Sequence, residues 1–212
     1  MSRRVFFSFN FEDVSDFKVN VVRNSRAFKN NGLETTFVDK SLWEEALKKS
    51  PNTIKTLIDI GMKGTSATTL LIGVNTTNRR WVNYEIINSF VEGKGILAIH
   101  LNRIRSRTTK KISRKGVNPL SRLKLRIDSE CKKIYFYELK DGKWIVFKDI
   151  PFVNNRKTNS FYFRTGHIFR RSQAGSEYKF SELFDMEYCW KIDDGYKNFP
   201  NWVEKSVKIV QR

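Results

Sequence analysis

Two short runs constrain the fold of this chain more than any other feature: residues 67–73 (ATTLLIG) and residues 95–101 (GILAIHL). Each is almost continuously apolar or β-branched, without the alternation of a half-exposed strand, which is the pattern of a strand covered on both faces. Between them, residues 78–92 place apolar side chains at helical spacing. Upstream, a β-rich run at residues 4–9 precedes a helical segment at 12–30, with Val14, Phe17, Val21 and Phe28 as its apolar stripe. Glu12, Asp13 and Asp16 stand in its first turn, where the helix dipole favours acids. Asn30-Asn31-Gly32 ends it. A brief strand at 35–38, a polar turn at Asp39-Lys40-Ser41 and a helical segment at 42–49 follow. The next helix has Ser50 as its cap and Pro51 at its first position. Ile54, Leu57 and Ile58 supply its buried stripe until Gly61 and Gly64 break it. Strand and helix thus alternate through four strands, which predicts a parallel sheet with helices on both faces.

After residue 101 the alternation stops. Residues 133–138 and 143–148 are strand-like, and the Asp141-Gly142 pair between them signals a tight turn, so a β-hairpin is expected. Phe199, Trp202, Val203 and Val207 fall at roughly helical spacing, which predicts a closing helix over 198–210. The expected organisation is an α/β core over residues 1–102, with residues 103–212 supplying a basic loop, the hairpin and the C-terminal helix packed on that core.

Charge is distributed unevenly. Forty Lys and Arg against 22 Asp and Glu give +18, yet residues 103–126 alone carry ten bases and no acid. With weak periodicity and few apolar anchors, that stretch reads as a solvated loop. A second acid-free stretch, 154–176, contains Arg156, Lys157, Arg164, Arg170 and Arg171. Such surface concentrates polyanions without choosing among nucleic acid, acidic membrane and phosphorylated small molecules. No zinc-finger spacing, helix-turn-helix pattern or aromatic nucleic-acid motif accompanies it.

The longest apolar run, within residues 70–74, is far short of the ~20 residues a membrane span needs, so a soluble protein is expected. The N-terminal run meets Glu12 and Asp13 and no small-residue cleavage site, and so reads as a strand rather than a signal peptide. Two cysteines, Cys131 and Cys189, make no disulfide framework, and a reducing cytoplasm is the default location. His100 and His167 have no Cys or His partner at metal-ligand spacing, so no metal is expected.

Ligands of open parallel α/β sheets bind at the carboxyl ends of the strands. The candidate loops contain Ser8 and Asn10 after the first strand, Asp39 and Trp43 after the second, and residues 75–85 after the third. In the last of these, Trp81 and Glu85 stand four apart, so they share a helix face. An aromatic platform beside a carboxylate suits a flat cationic ring joined to a sugar; the same pair is also common as plain surface.

Val5-Phe6-Phe7-Ser8-Phe9, the turn from Asp39 to Trp43, and Trp81-Val82-Asn83-Tyr84-Glu85-Ile86 resemble, in order, the three landmark segments of TIR domains. The resemblance is closer still to the TIR-like proteins of the bacterial Thoeris antiphage system. It continues through Gly116 to Pro119, Tyr137-Glu138, Gly142-Lys143-Trp144, Asp193-Asp194-Gly195-Tyr196 and Trp202-Val203. It implies a flavodoxin-like fold and an enzyme that cleaves the nicotinamide–ribose bond of NAD, with NAD as substrate rather than cofactor. In Thoeris the product is a cyclic ADP-ribose isomer that activates a partner effector, so the implied partners are that effector, a phage-derived trigger and further copies of the chain. The family's catalytic glutamate maps onto Glu85 and its stacking tryptophan onto Trp81. Ser8, Asn10, Asp39, Trp43 and Tyr84 are the further substrate-binding candidates. The loop after the first strand lacks the Ser- and Arg-rich sequence of many TIR domains.

Two alternatives remain at this stage. One is a non-catalytic TIR-like adaptor that docks a protein or nucleic acid through its basic surface. The other is a different N-glycosidic enzyme, such as a nucleoside deoxyribosyltransferase.

Overall fold

The alternation of side chains along the first strand sets the layering of the molecule. In the computed structural model, which describes residues 3–10, 17–25, 32–38, 40–154 and 171–210, β1 (Arg3–Phe9) sends Phe6 into one core and Val5, Phe7 and Phe9 into the other, as a period of two requires. β2 (Leu33–Thr36) and β3 (Ala67–Ile72) flank β1, and β4 (Gly95–His100) follows β3, all in parallel. The two runs singled out in the sequence are β3 and β4, and every residue of both strands is buried. A fifth strand, absent from the sequence reading, joins the free edge of β4: β10 (Glu187–Cys189), also parallel. The resulting order, β10-β4-β3-β1-β2, is that of the flavodoxin-like doubly wound sheet, whose direction of winding reverses between β1 and β3.

Helices cover both faces. α1 (Lys18–Arg23) and α6 (Gly195–Val210) bury Val19, Val22, Phe199, Trp202, Val203 and Val207 against one face. On the other lie α2 (Lys40–Lys49), α3 (Pro51–Met62) and α4 (Arg80–Val91), whose Ala46, Ile54, Ile58, Met62, Val82, Ile86 and Phe90 share a core with Phe6, Leu70 and Ile72. Ser50 caps α3 as expected, its hydroxyl accepting from the Thr53 amide at 3.2 Å. The first helix departs from its expected stripe. Phe17 stands ahead of it at φ 61° and is 40% exposed, while burial falls on Lys18, Val19 and Val22. The left-handed turn at Phe17 resets the helical phase, so the periodicity read across it fails. Val14 and Phe28 lie outside the described residues.

The expected hairpin is present, with Asp141 at φ 49° and Gly142 at φ 75°, the two positive values that a two-residue type I′ turn needs. It belongs to a larger unit than the sequence suggested. β5 (Leu123–Ile127), β6 (Lys133–Lys140), β7 (Lys143–Val146) and β9 (Glu177–Lys179) form an antiparallel sheet in the order β7-β6-β5-β9, with β8 (Phe152–Asn154) also on β6. Its inner face shares the α4 core: the Phe90 ring meets Phe136 and Phe180 edge-on at 5.9 and 5.4 Å. Phe180 opens a one-turn helix, α5 (Phe180–Leu183).

The solvated-loop reading of residues 103–126 is corrected by this sheet. Residues 119–122 form a 3-10 turn and residues 123–126 belong to β5, with Leu120, Leu123 and Leu125 fully buried. The period-two pattern Leu123, Leu125, Ile127 was masked by the intervening cations, whose stems lie on the opposite face. Residues 103–118 are folded as well. Ile104 and Ser106 are buried, the Ser113 amide donates to the Asn102 carbonyl at 3.0 Å, and Lys18 Nζ donates to Ser113 Oγ at 2.9 Å. Of the second basic stretch, Arg156, Lys157, Arg164 and Arg170 lie outside the described residues, as does His167. Among the described residues no helix is long and apolar enough to cross a membrane.

Candidate active site

Helix α4, which bears Trp81 and Glu85, is fixed from three sides. Val82, Ile86 and Phe90 anchor it in the core. The Ser89 hydroxyl bridges Thr68 of β3 and the Glu85 carbonyl at 2.7 and 2.6 Å. At its start, Arg80 makes a two-pronged pair with Asp149, both contacts 2.7 Å, and Lys55 of α3 reaches the same carboxylate at 2.9 Å. Buried between two cations, Asp149 is held below the usual carboxylate range, chiefly by the hydrogen bond from Arg80.

This clamp aims Glu85 at the winding-reversal point of the sheet. Ser8, near the carboxyl end of β1 and paired in register with Leu70 of β3, donates a hydrogen bond to Glu85 Oε2 at 2.5 Å. Ser8 is fully buried and Glu85 is only 6% exposed. Burial pushes the Glu85 carboxyl up to about 8, against the opposing effect of the Ser8 hydrogen bond. Taking a carboxylate out of water disfavours its charged form unless a cation or several donors compensate, and here one hydroxyl does so in part. At neutral pH the resting site therefore holds a neutral acid.

The other sequence candidates are placed as follows. Asn10 Nδ2 donates to the Asn75 carbonyl at 3.4 Å, tying the loop after β1 to the loop after β3 beside the Ser8–Glu85 pair. Trp81 is half-buried, with the Tyr84 ring edge-on at 6.1 Å and the Arg80 guanidinium 4.5 Å above it. Tyr84 faces away from Glu85: its hydroxyl donates to Asp59 Oδ1 of α3 at 2.9 Å, and burial raises its phenol well above the ordinary value. Trp43 lies on α2, and Asp39 is outside the described residues. The structure thus joins Ser8 to Glu85, ties Asn10 to the loop after β3 and directs Tyr84 to a neighbouring helix.

His100, at the end of β4, serves a structural contact. Its Nε2 lies 2.8 Å from Glu187 Oε1 of β10, and burial lowers its pKa, so the contact is a hydrogen bond from a neutral imidazole at neutral pH. Among the described residues no cluster of His, Cys, Asp or Glu could hold a metal ion.

Sequence reasoning missed a second feature at this end of the sheet. A cavity of about 440 Å³ opens at the end of β3, lined by Asn75, Thr77, Asn78 and Arg79 on one side and by Val117 and Arg122 on the other. Thr77 Oγ1 donates to the Val117 carbonyl across it. Gly116 lies so close to the end of β3 that a Cβ there would sit 1.9 Å from the Gly73 carbonyl oxygen. The absence of a side chain at Gly116 was the one local signal that this segment approaches another backbone.

Residues 6–106 match the family described as Thoeris protein ThsB, TIR-like domain. The chain is 40% identical over 203 residues to "Putative cyclic ADP-D-ribose synthase ThsB1" of Bacillus cereus (strain MSX-D12), covering 96% of this chain and 100% of that protein.

Proposed function

Because the chain belongs to the ThsB family of Thoeris TIR-like proteins, we propose that it breaks the nicotinamide–ribose bond of NAD and closes the remainder into a cyclic ADP-ribose-type signal that activates a Thoeris effector. The observation that carries this reading is the Ser8–Glu85 pair, a buried carboxyl at the winding-reversal point of a parallel sheet.

The reaction asks for little else. When the bond from the ribose anomeric carbon to the pyridinium nitrogen breaks, its electron pair goes to that nitrogen and nicotinamide leaves neutral. No general acid is required, unlike ordinary glycoside hydrolysis with its two carboxylates. One carboxylate near the ribose stabilises the positive charge that develops on the sugar. A neutral Glu85 in the resting site fits this role, because a bound pyridinium supplies the nearby positive charge that favours ionisation. The Ser8 hydroxyl then holds the carboxylate in place. Cyclisation follows when a hydroxyl of the ADP half, held near the anomeric carbon in a dry site, attacks in place of water and passes its proton to the Glu85 carboxylate, which returns to its neutral resting form. Such positioning is worth about 7–11 kcal/mol.

The test incubates the purified chain with NAD, with and without lysate from phage-infected cells, and follows nicotinamide and cyclic products by mass spectrometry. Nicotinamide release that Glu85→Gln abolishes supports the reading. Undiminished release by the folded variant removes Glu85 from the reaction.

A further inference from the structure

Resting on the dinucleotide reading above, we infer that the cavity between Arg79 and Arg122 is the diphosphate-binding subsite, holding the bridge between the two halves of the substrate. Its walls come from parts of the chain far apart in sequence: the loop from β3 to α4, and the 3-10 turn at Pro119–Arg122 that leads into the second sheet. The Thr77–Val117 hydrogen bond and the close packing of Gly116 on Gly73 fix the two walls together, so the opening is pre-formed rather than assembled by the ligand.

Its chemistry is that of an anion site. The residues lining it include two arginines and two amide side chains that can donate hydrogen bonds, Asn75 and Asn78, and no acid. Arg122 Nε is buried and has no hydrogen-bond partner among the described residues. A buried guanidinium N–H without an acceptor is costly, and the planar fork of arginine matches phosphate oxygens two at a time. Arg79 Nε donates to the Asn75 carbonyl at 2.9 Å, which holds that guanidinium at the cavity mouth. The cavity also lies at the start of α4, where no side chain caps the first turn, so the helix dipole adds to the attraction for an anion.

The spacing is right for one ligand to reach both places. Glu85 lies six residues beyond Arg79, about 9 Å along the helix axis at 1.5 Å per residue. From the anomeric carbon of nicotinamide riboside, the second phosphate of the diphosphate bridge, rather than the first, lies at a reach of that order. Asn75 joins the two regions, since it lines the cavity while its carbonyl accepts from Asn10 beside Ser8.

The experiment titrates the full-length chain with ADP by calorimetry, with adenosine as the phosphate-free control. ADP binds the wild-type chain and adenosine much more weakly. Arg122→Ala weakens ADP by about tenfold or more, the loss of a charge-assisted contact, and Arg122→Lys, which keeps the charge but loses the fork, falls between. Arg122→Lys also guards against misfolding of the alanine variant, and melting curves for both confirm folding. Equal ADP affinity in wild type and both folded variants overturns the inference, as does wild-type binding of adenosine as tight as that of ADP. ADP binding is read without turnover, so the two readings fail separately. A chain that binds ADP through Arg122 but never releases nicotinamide upholds this subsite and removes the NAD-cleaving reading.

Discussion

The Ser8 hydroxyl donates a 2.5 Å hydrogen bond to Glu85 Oε2, joining the end of one strand to a helix 77 residues further along the chain. Among the described residues, Ser8 is the one side chain that opposes the effect of burial on that carboxyl.

Activity should follow the ionisation of Glu85. With the free site titrating at about 8, kcat/KM for NAD rises as pH increases from 6 to 9 and levels off above that point. Ser8→Ala removes the contribution that lowers this value, so its profile shifts to higher pH. A pH series of nicotinamide release for both proteins checks this; identical midpoints would remove Ser8 from the control of Glu85.

Stability should carry the same signature with the opposite benefit. Folding raises the Glu85 value from 4.5 to about 8, so the folded site retains a proton that the unfolded chain releases. The favourable state is complete below about 4.5 and is lost as pH rises towards 8. Glu85→Gln escapes that loss. It should match the wild type near pH 4.5 and exceed it at pH 8 by on the order of 4 kcal/mol, while nicotinamide release falls by at least about a hundredfold. Urea melts at the two pH values measure the first effect, and mass spectrometry measures the second.

Asp149 should matter for the site without touching it. Its side chain is 5% exposed and accepts from Arg80 and Lys55, and Arg80 in turn covers the Trp81 ring at 4.5 Å. Asp149→Asn weakens this clamp, with an expected cost on the order of 1–3 kcal/mol and a change in Trp81 fluorescence. Because Asp149 is held below its ordinary value, its contribution is present at neutral pH and is lost as pH falls through the folded value. The wild-type advantage over the variant should therefore shrink on acidification.

Glu187 gives a second acid-sensitive tie. Burial alone would raise it, but hydrogen bonds from Lys115, Asn118 and His100 outweigh burial and bring it to about 2. The contacts, 2.7, 2.7 and 2.8 Å long, fasten β10 to the loop beside the cavity. Stability from this hub is in place above about 4.5 and disappears as pH drops towards 2. Hydrogen-exchange protection factors at β10, normalised to the unfolded rate at each pH, should fall in Glu187→Gln at pH 7 and in the wild type near pH 2, and unchanged protection in the variant would show the tie to be dispensable.

Gly116→Ala tests the joint between the two halves. The added methyl would meet backbone at 1.9 Å, a distance no rotamer change relieves, so the loop must move away from the end of β3. A melting point lower by several degrees and loss of ADP binding are expected, read by calorimetry.

What the sequence determined by itself was the part of the protein that repeats at short range. Continuous apolar runs marked β3 and β4, helical spacing marked α3, α4 and α6, and Asp141-Gly142 marked the hairpin, because each is a property of neighbours within a few residues. Trp81 and Glu85 were legible for the same reason. Tertiary structure alone decided the partner of Glu85, the neutral state that burial imposes on it, the turning of Tyr84 to Asp59, the addition of β10 to the sheet, and the meeting of Arg79 with Arg122. These depend on contacts between segments tens of residues apart, and a three-residue edge strand or a lone arginine carries no periodicity from which such a contact could be read.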